Sequence, residues 1–132
     1  DLHSFPTRRS SDLHIEVYLM RAESHAQLGD KDAALDDLNA LLVKRMDYSF
    51  VHVTAATAEE VLTRILEERR KELLFRGLRW MDIKRFNKEG ADIDLTREYN
   101  GQTYTLPSND NRFALPLPDD VINLSGMPQN PR

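Results

Sequence analysis

The sequence predicts a mainly α-helical fold completed by a small β-hairpin and a proline-rich C-terminal tail. Three observations carry this prediction. Apolar residues recur with helical spacing from His14 to about Phe86, Asn100-Gly101 separates two short alternating segments, and five of the six prolines fall at or after Pro107. The first pattern is typical of amphipathic helices, the second of a tight hairpin turn, and the third of extended chain.

The first two helices are expected to form a helical hairpin. Four apolar residues share one face of the first helix, which begins at about His14: Ile15, Leu19, Ala22 and Ala26. Gly29 suits the left-handed conformation that ends many helices. The second helix follows from about Lys31 to Met46, with Ala34, Leu38, Leu41 and Leu42 facing inward. This spacing resembles a tetratricopeptide repeat, and a single repeat needs neighbouring elements to cover its outer face.

A long buried helix is predicted from Ala58 to about Phe86. Thr57 and Glu60 have the spacing of a capping box, in which the hydroxyl and the carboxylate each accept from the first amides of the helix. One side of this helix collects Leu62, Ile65, Leu66, Leu73, Trp80 and Ile83, and a further face collects Leu74, Leu78 and Met81. A helix that is apolar almost all round is buried, so its charges should be paired in the interior.

A β-hairpin is predicted around Asn100-Gly101. The flanking segments Leu95–Tyr99 and Gln102–Leu106 are short and rich in β-forming residues. A two-residue type I′ turn needs positive φ at both central residues, which Asn and Gly adopt readily.

The tail from Pro107 to Arg132 should be mostly extended and should wrap over the helices. Its Leu-Pro-Leu-Pro run at 115–118 cannot form a helix. Asp119 and Asp120 are expected to cap a single turn that contains Val121 and Ile122.

Composition narrows the classes of function. With 132 residues, 40% hydrophobic and 30% charged, the chain has the make-up of one small globular domain. A net charge of -4 argues against nucleic acid or anionic lipid as a partner. The absence of cysteine excludes disulfides, thiolate metal sites and a cysteine nucleophile. No apolar run approaches the roughly 18–20 residues of a membrane span.

Residues 1–13, DLHSFPTRRSSDL, form a polar segment without apolar periodicity, which predicts disorder. The same string results when a common sequencing-adapter oligonucleotide is translated in one frame. We therefore interpret 1–13 as a non-native leader and 14–132 as the C-terminal part of a natural domain. The alternative is a genuine linker rich in Ser and Arg. On the adapter interpretation, the natural start and any export signal lie upstream of residue 14.

Two long motifs carry a family resemblance. The run EERRKELLFRGLRWMDIKRFN, Glu67–Asn87, resembles the signature helix of the SusD/RagB family. The run NDNRFALPLPDDVINLSGMPQNP, Asn109–Pro131, resembles the closing segment of that family, in which an Arg, a Pro-x-Pro and a final Gln-Asn-Pro recur. The helical hairpin also fits, because the family is built on tetratricopeptide-like helix pairs. Arg76 and Leu78 depart from the family pattern, which often has Glu and His there.

The resemblance implies a role in nutrient uptake without catalysis. Proteins of this family are lipid-anchored on the outer face of the outer membrane of Bacteroidota-like bacteria. They bind glycans or other nutrients and act as a lid over a SusC-like TonB-dependent transporter. The implied ligand is therefore a glycan or other nutrient, the implied partner is the transporter, and no cofactor is expected. Membrane contact would be made only through a lipid anchor that lies outside these 132 residues.

Five charged residues on the long helix form a predicted structural ion network: Glu68, Arg69, Glu72, Arg79 and Asp82. Glu68 and Glu72 lie one turn apart, which raises the alternative of a catalytic pair of carboxyl groups. However, the nearby arginines should lower both carboxyl pKa values instead of separating them. The network is therefore interpreted as structural, and no catalytic residue is assigned.

The remaining candidates give no assigned ligand site. The four histidines lack the spacing of metal ligands, so no metal site is expected. Trp80 shares an apolar stripe with Leu73 and Ile83, which favours a core role over stacking on a sugar ring. Tyr99 and Tyr104 should be exposed on the hairpin, where cross-strand pairing explains them equally well. The resemblance implies that ligand contacts lie mostly upstream, so the ligand-binding residues remain unknown.

A second class of function stays open. A small intracellular tetratricopeptide-type adaptor that binds peptide segments would explain residues 14–46. It would leave the charged helix and the proline-rich ending unexplained. A signal peptide with a lipid-acceptor cysteine encoded upstream of codon 14, beside a transporter gene, would favour the nutrient-binding lipoprotein. A simple Met start there would favour the adaptor.

Overall fold

The computed structural model describes residues 8–46 and 49–132, with side chains from His14 onward within those ranges. The described residues are mainly helical with one antiparallel two-stranded hairpin, which confirms the predicted fold class. The helices are α1 (Arg8–Gln27), α2 (Lys31–Leu42), α3 (Ala58–Glu72), α4 (Arg79–Lys88) and α5 (Asp119–Ser125), and the strands are β1 (Leu95–Tyr99) and β2 (Gln102–Leu106). The chain divides into two compact units, the first ending at Gly77 and the second running from Leu78 to Arg132.

Helix α1 begins at Arg8, six residues before the predicted start at His14. The helix thus includes residues 8–13, and extending an existing helix by polar residues costs little once it has nucleated. The expectation for residues 1–7 lies outside the described residues. That 1–13 form a non-native leader stays a prediction.

The predicted helical hairpin of α1 and α2 is confirmed. Gly29 adopts a left-handed conformation with φ of +82°, and the Asp30 carboxylate accepts a hydrogen bond from the Ala33 amide at 3.1 Å, which caps α2. Helix α3 packs against both helices. The core of this unit comprises Ile15, Leu19, Ala22, Ala26, Ala34, Leu38, Leu41, Leu42, Val61, Ile65 and Leu73. Helix α2 ends at Leu42, four residues earlier than predicted, and the chain leaves it through a turn.

The single long helix predicted over 58–86 is two helices in the structure. Helix α3 ends at Glu72 and α4 begins at Arg79. Between them Phe75 has φ of +62° and Gly77 has φ of +74°, and a right-handed helix cannot continue through left-handed residues. The expectation of burial all round was also wrong, because Leu74 in the first unit and Met81 in the second are 62% and 61% exposed.

The second unit contains the hairpin and the tail. Leu95 pairs with Leu106 and Tyr99 with Gln102, and Asn100 and Gly101 both have positive φ, which confirms the predicted turn. A short 3₁₀ helix at Asn111–Phe113 precedes the extended Leu-Pro-Leu-Pro run.

Helix α5 forms where a single turn was predicted, but its capping differs. Pro118 occupies the cap position, and neither Asp119 nor Asp120 forms a capping hydrogen bond. Both carboxylates lie in the first turn, where the helix dipole favours negative charge. Gly126 ends the helix with φ of +68°. Among the described residues, no helix combines the length and the apolar character that a membrane crossing requires.

Candidate functional site

Three members of the predicted ion network lie on α3. The Arg69 side chain is buried, with only 7% of the residue exposed. The Glu72 carboxylate lies 3.2 Å from the Arg45 guanidinium beyond the end of α2, so this pair joins α3 to the hairpin. Glu68 instead pairs locally with Lys71 at 2.6 Å, and Lys71 is largely exposed. Glu72 therefore contacts a neighbouring segment, whereas Lys71, the partner of Glu68, lies on the same helix.

The other two members lie on α4. Asp82 is buried, and its carboxylate lies 3.4 Å from the Arg85 guanidinium one turn later. Arg85 also stands over the Phe86 ring, with 4.5 Å between the guanidinium carbon and the ring centroid. Arg79 is half-buried at the start of the helix. Because α3 and α4 belong to separate units, a single network of all five residues stays a prediction.

A charge pair that the sequence analysis missed joins the two helices of the hairpin. The Arg21 guanidinium donates from both Nε and Nη2 to the two carboxylate oxygens of Asp37, and the Nε bond measures 2.6 Å. This bidentate bond raises the pKa of Arg21 and places the charge of Asp37 on the buried side of α2. Both residues lie on polar positions of their helices, so helical periodicity alone gives no signal for their contact.

Two asparagines fasten irregular chain to helices. The Asn39 side chain accepts from the Val53 amide at 2.7 Å and donates to the Val53 carbonyl at 3.0 Å. Asn87 makes the same pair of bonds to Ile93, at 2.6 and 2.9 Å. Each side-chain amide thus satisfies a backbone donor and acceptor that no strand or helix satisfies.

Two further side-chain amides, both within the closing motif, hold the tail. Gln129 accepts from the Leu117 amide at 2.8 Å and donates to the Leu117 carbonyl at 3.1 Å, and Asn130 donates to the Leu115 carbonyl at 2.7 Å. The final Gln-Asn therefore fixes the Leu-Pro-Leu-Pro run, whose prolines cannot donate hydrogen bonds of their own.

Asp110 and Arg112 form the tightest charge pair of the tail. The Arg112 guanidinium donates to both Asp110 oxygens, at 2.9 Å from Nε and 2.8 Å from Nη2, and the Arg112 amide adds a third bond at 2.8 Å. These bonds, the guanidinium first, lower the pKa of Asp110 to about 2. Asp110 is therefore ionised at neutral pH and paired with Arg112.

Trp80 is half-buried and packs against Phe113, not on the predicted stripe with Leu73, which lies in the other unit. Its ring lies 4.9 Å from the Phe113 ring, centroid to centroid, and its indole N–H donates to the Phe113 carbonyl at 3.3 Å. The side chain joins α4 to the tail instead of standing open for a sugar.

Tyr99 and Tyr104 are 60% and 54% exposed, as expected. The register pairs Tyr99 with Gln102 and Tyr104 with Arg97, so the two rings share one face of the hairpin as diagonal neighbours.

Concave spaces occur in both units, among them a space of about 340 Å³ beside Leu38 and Val53 in the first unit. In the first unit, the α1–α2 groove has a volume of about 480 Å³ and is lined by His14, Ile15, Tyr18, Leu41, Lys44 and Arg45. In the second unit, a space of about 320 Å³ is lined by Lys84, Lys88, Asn109, Asp110, Asn111 and Phe113, and is called the two-lysine pocket below. Within the described part of the chain, no group of three or more His, Asp or Glu side chains is placed to hold a metal ion.

The described residues form a mainly helical architecture with a helical hairpin, a β-hairpin and a proline-rich tail held by side-chain amides. A profile described as the SusD family matches residues 15–132. The chain therefore belongs to the SusD family.

Two solved structures show the same fold. One is a SusD-like protein from Bacteroides fragilis, with a TM-score of 0.59 and 25% identity, covering 88% of this chain and 24% of that one. Another is a SusD-like carbohydrate binding protein from Bacteroides vulgatus, with a TM-score of 0.57 and 28% identity, covering 85% of this chain and 28% of that one. The chain thus spans about a quarter of the length of these structures. Comparison with curated proteins gives no match.

Proposed function

We propose that the protein binds glycans as a nutrient-binding member of the SusD family and catalyses no reaction. The observation that carries the proposal is the likeness to the SusD-like carbohydrate binding protein of Bacteroides vulgatus, which extends over 85% of this chain at 28% identity. The structure supports a binding role in a second way. Three carboxylates on α3 and α4, those of Glu68, Glu72 and Asp82, are each paired with a cation, as is typical of structural ion pairs.

The setting of this function is the surface of a bacterial outer membrane. There the complete protein would be held by a lipid anchor and would cover a SusC-like TonB-dependent transporter. The chain supplies about a quarter of the length of the similar structures, so the main glycan contacts are proposed to lie in the remaining three quarters. On this proposal, the described segment contributes the helical scaffold and its closing tail.

The proposal is tested with the complete protein, expressed from its natural gene. Isothermal titration with a panel of soluble plant, fungal and host glycans should yield saturable binding to at least one of them. Extended peptides of unrelated sequence serve as the competing ligand class. Binding of no glycan across the panel, with saturable binding of peptides, would reject the proposal.

A peptide-binding adaptor is the second candidate, and the α1–α2 groove is the observation that favours it. Its apolar floor of Ile15 and Leu41 and its rim of Lys44 and Arg45 would suit an extended acidic peptide. Substituting Lys44→Glu on the exposed rim would then weaken binding of the acidic peptide, whereas glycan binding elsewhere in the complete protein would persist.

A further inference from the structure

The two-lysine pocket combines uncompensated positive charge with a concave polar wall. Lys84 and Lys88 lie one turn apart on α4, are both exposed, and line the same space of about 320 Å³. Neither ammonium group has an ion-pair partner among the side chains described at 14–46 and 49–132. Like charges four residues apart on a helix repel each other, so an anion placed between them would relieve that repulsion.

The other charges around the pocket do not cancel the lysines. Asp110 is the acidic residue in its wall, and both of its oxygens are occupied by the Arg112 guanidinium. Because this pairing lowers the pKa of Asp110 to about 2, the carboxylate remains charged and committed to Arg112 at neutral pH.

The backbone carbonyls at the C-terminal, negative end of α4 are also largely hydrogen-bonded. The Arg85 carbonyl accepts from the Glu89 amide at 3.2 Å, and the Phe86 carbonyl accepts from the Ala91 amide at 3.0 Å. The Asn87 carbonyl accepts from the Gly90 amide and from the Asn109 side chain, both at 3.1 Å. These bonds reduce the repulsion that the carbonyls at a helix C-terminus would exert on a bound anion.

Two side-chain amides in the pocket wall, those of Asn109 and Asn111, could form hydrogen bonds with the hydroxyls of a ligand. The Asn111 amide forms no hydrogen bond within the described part of the chain, and the Asn109 oxygen is free to accept while its nitrogen donates to Asn87. Phe113 and Ala114 supply an apolar section of the wall. A few polar groups on a partly apolar wall, in a space of about 300 Å³ or more, match the lower end of small-ligand pockets.

We infer that the two-lysine pocket is a subsite for an acidic sugar, whose carboxylate or sulfate lies between Lys84 and Lys88 and whose hydroxyls meet Asn109 and Asn111. The inference rests on the proposed function, since it is the glycan-binding role that favours a saccharide over another anion. It adds a ligand class, acidic saccharides, and a location within these 132 residues.

Trp80 is a built-in reporter for this subsite. It is the only tryptophan in the sequence, and its indole contacts Phe113, which lines the pocket. Occupation of the pocket should therefore change the fluorescence of a single, known residue.

The test titrates the 132-residue chain with trigalacturonate, with its uncharged methyl ester, with galactose 6-sulfate and with inorganic sulfate, while tryptophan emission is recorded. We expect a saturable change with trigalacturonate, galactose 6-sulfate or both, and none with the ester. Lys84→Gln and Lys88→Gln should each weaken the acidic sugar by about two- to fivefold, the effect of one exposed ion pair. Lys44→Gln removes the same charge from the other unit and should leave the affinity unchanged.

Several outcomes would overturn the inference. Equal responses to trigalacturonate and its ester would reject selection for the anion and leave the glycan-binding proposal standing. Displacement by inorganic sulfate at the same concentration as the acidic sugar would reject recognition of the saccharide. No response to any acidic sugar would reject the subsite itself, while glycan titration of the complete protein would still decide the proposed function.

Discussion

Asn39 and Asn87 show how single side chains organise this protein. Each lies on a helix, and each holds the backbone N–H and C=O of a residue in irregular chain. Both are almost fully buried, so their four hydrogen bonds are shielded from water. Sequence periodicity marks them only as polar residues on helices. Their partners, Val53 and Ile93, lie in segments without regular structure, so no spacing rule could have paired them.

The Asp110–Arg112 pair gives a prediction about pH. Since its folded-state pKa of about 2 lies below the ordinary value of 3.8, the stability from this pair is present at neutral pH and is lost as the pH falls from about 4 through 2. An NMR titration of the Asp110 carboxyl carbon should have its midpoint near 2. Arg112→Gln should move the midpoint towards 3.8, whereas Arg97→Gln on the exposed hairpin should not. A midpoint near 3.8 in the unaltered chain would show that the pair does not form in solution.

Arg69 gives a prediction about stability. A buried guanidinium needs hydrogen-bond partners. Removing the Arg69 side chain would leave those partners buried and without a hydrogen bond. Arg69→Ala should therefore lower the free energy of unfolding by about 3 kcal/mol or more in urea denaturation. Arg70→Ala, at the next and exposed position, should change it by less than about 0.5 kcal/mol. Equal losses for the two variants would show that Arg69 is solvated.

Among the elements, several that carry a local chemical signal were predicted correctly, although the expected capping by Asp119 and Asp120 was not. The turns at Gly29 and at Asn100-Gly101 were predicted from these residues, and all three adopt positive φ. The Thr57 hydroxyl accepts a hydrogen bond from the Glu60 amide at 3.2 Å, as expected for a capping box. The Glu60 carboxylate reaches back to the Ala56 amide at 2.8 Å, one residue before the expected donor. The break between α3 and α4 was not predicted because residues 73–78 continue the apolar pattern. Only Gly77 among them signals a helix end.

The segment between α3 and α4 gives a prediction at the scale of elements. Phe75 has a left-handed φ of +62° although it is an aromatic residue, and it is 97% exposed, so its ring contributes little packing. Asn adopts this conformation at lower cost. Phe75→Asn should raise the free energy of unfolding by about 1 kcal/mol, or at least not lower it. Leu74→Asn, exposed but not left-handed, should bring no such gain, and a clear loss at Phe75 would mean that the ring has a contact to lose.

At the scale of the whole molecule, several large apolar side chains are exposed and could be covered by further helices. On α1, Val17 and Met20 are 52% and 54% exposed, and Leu74 after α3 is 62% exposed. A tetratricopeptide-like hairpin covers such a face with the next helical pair. The structures similar to this chain are about four times as long, which leaves room for such pairs in the complete protein.

The leader gives a further whole-molecule prediction. If residues 1–13 are non-native, no part of 14–132 has been selected to pack against them. A chain that begins at His14 should then keep the melting temperature of the 132-residue chain within experimental error, even though α1 loses residues 8–13. A fall of several degrees, which corresponds to about 1 kcal/mol in a domain of this size, would show that these residues belong to the fold.

The most direct test of the central claim is a crystal structure of the complete protein grown with the glycan that it binds most tightly. We predict that residues 15–132 keep the fold described here, that further helical pairs cover Val17 and Met20, and that the glycan occupies a SusD-type binding surface. A structure in which 15–132 stand alone as an independent domain, with no bound sugar and with an extended peptide in the α1–α2 groove, would contradict the claim.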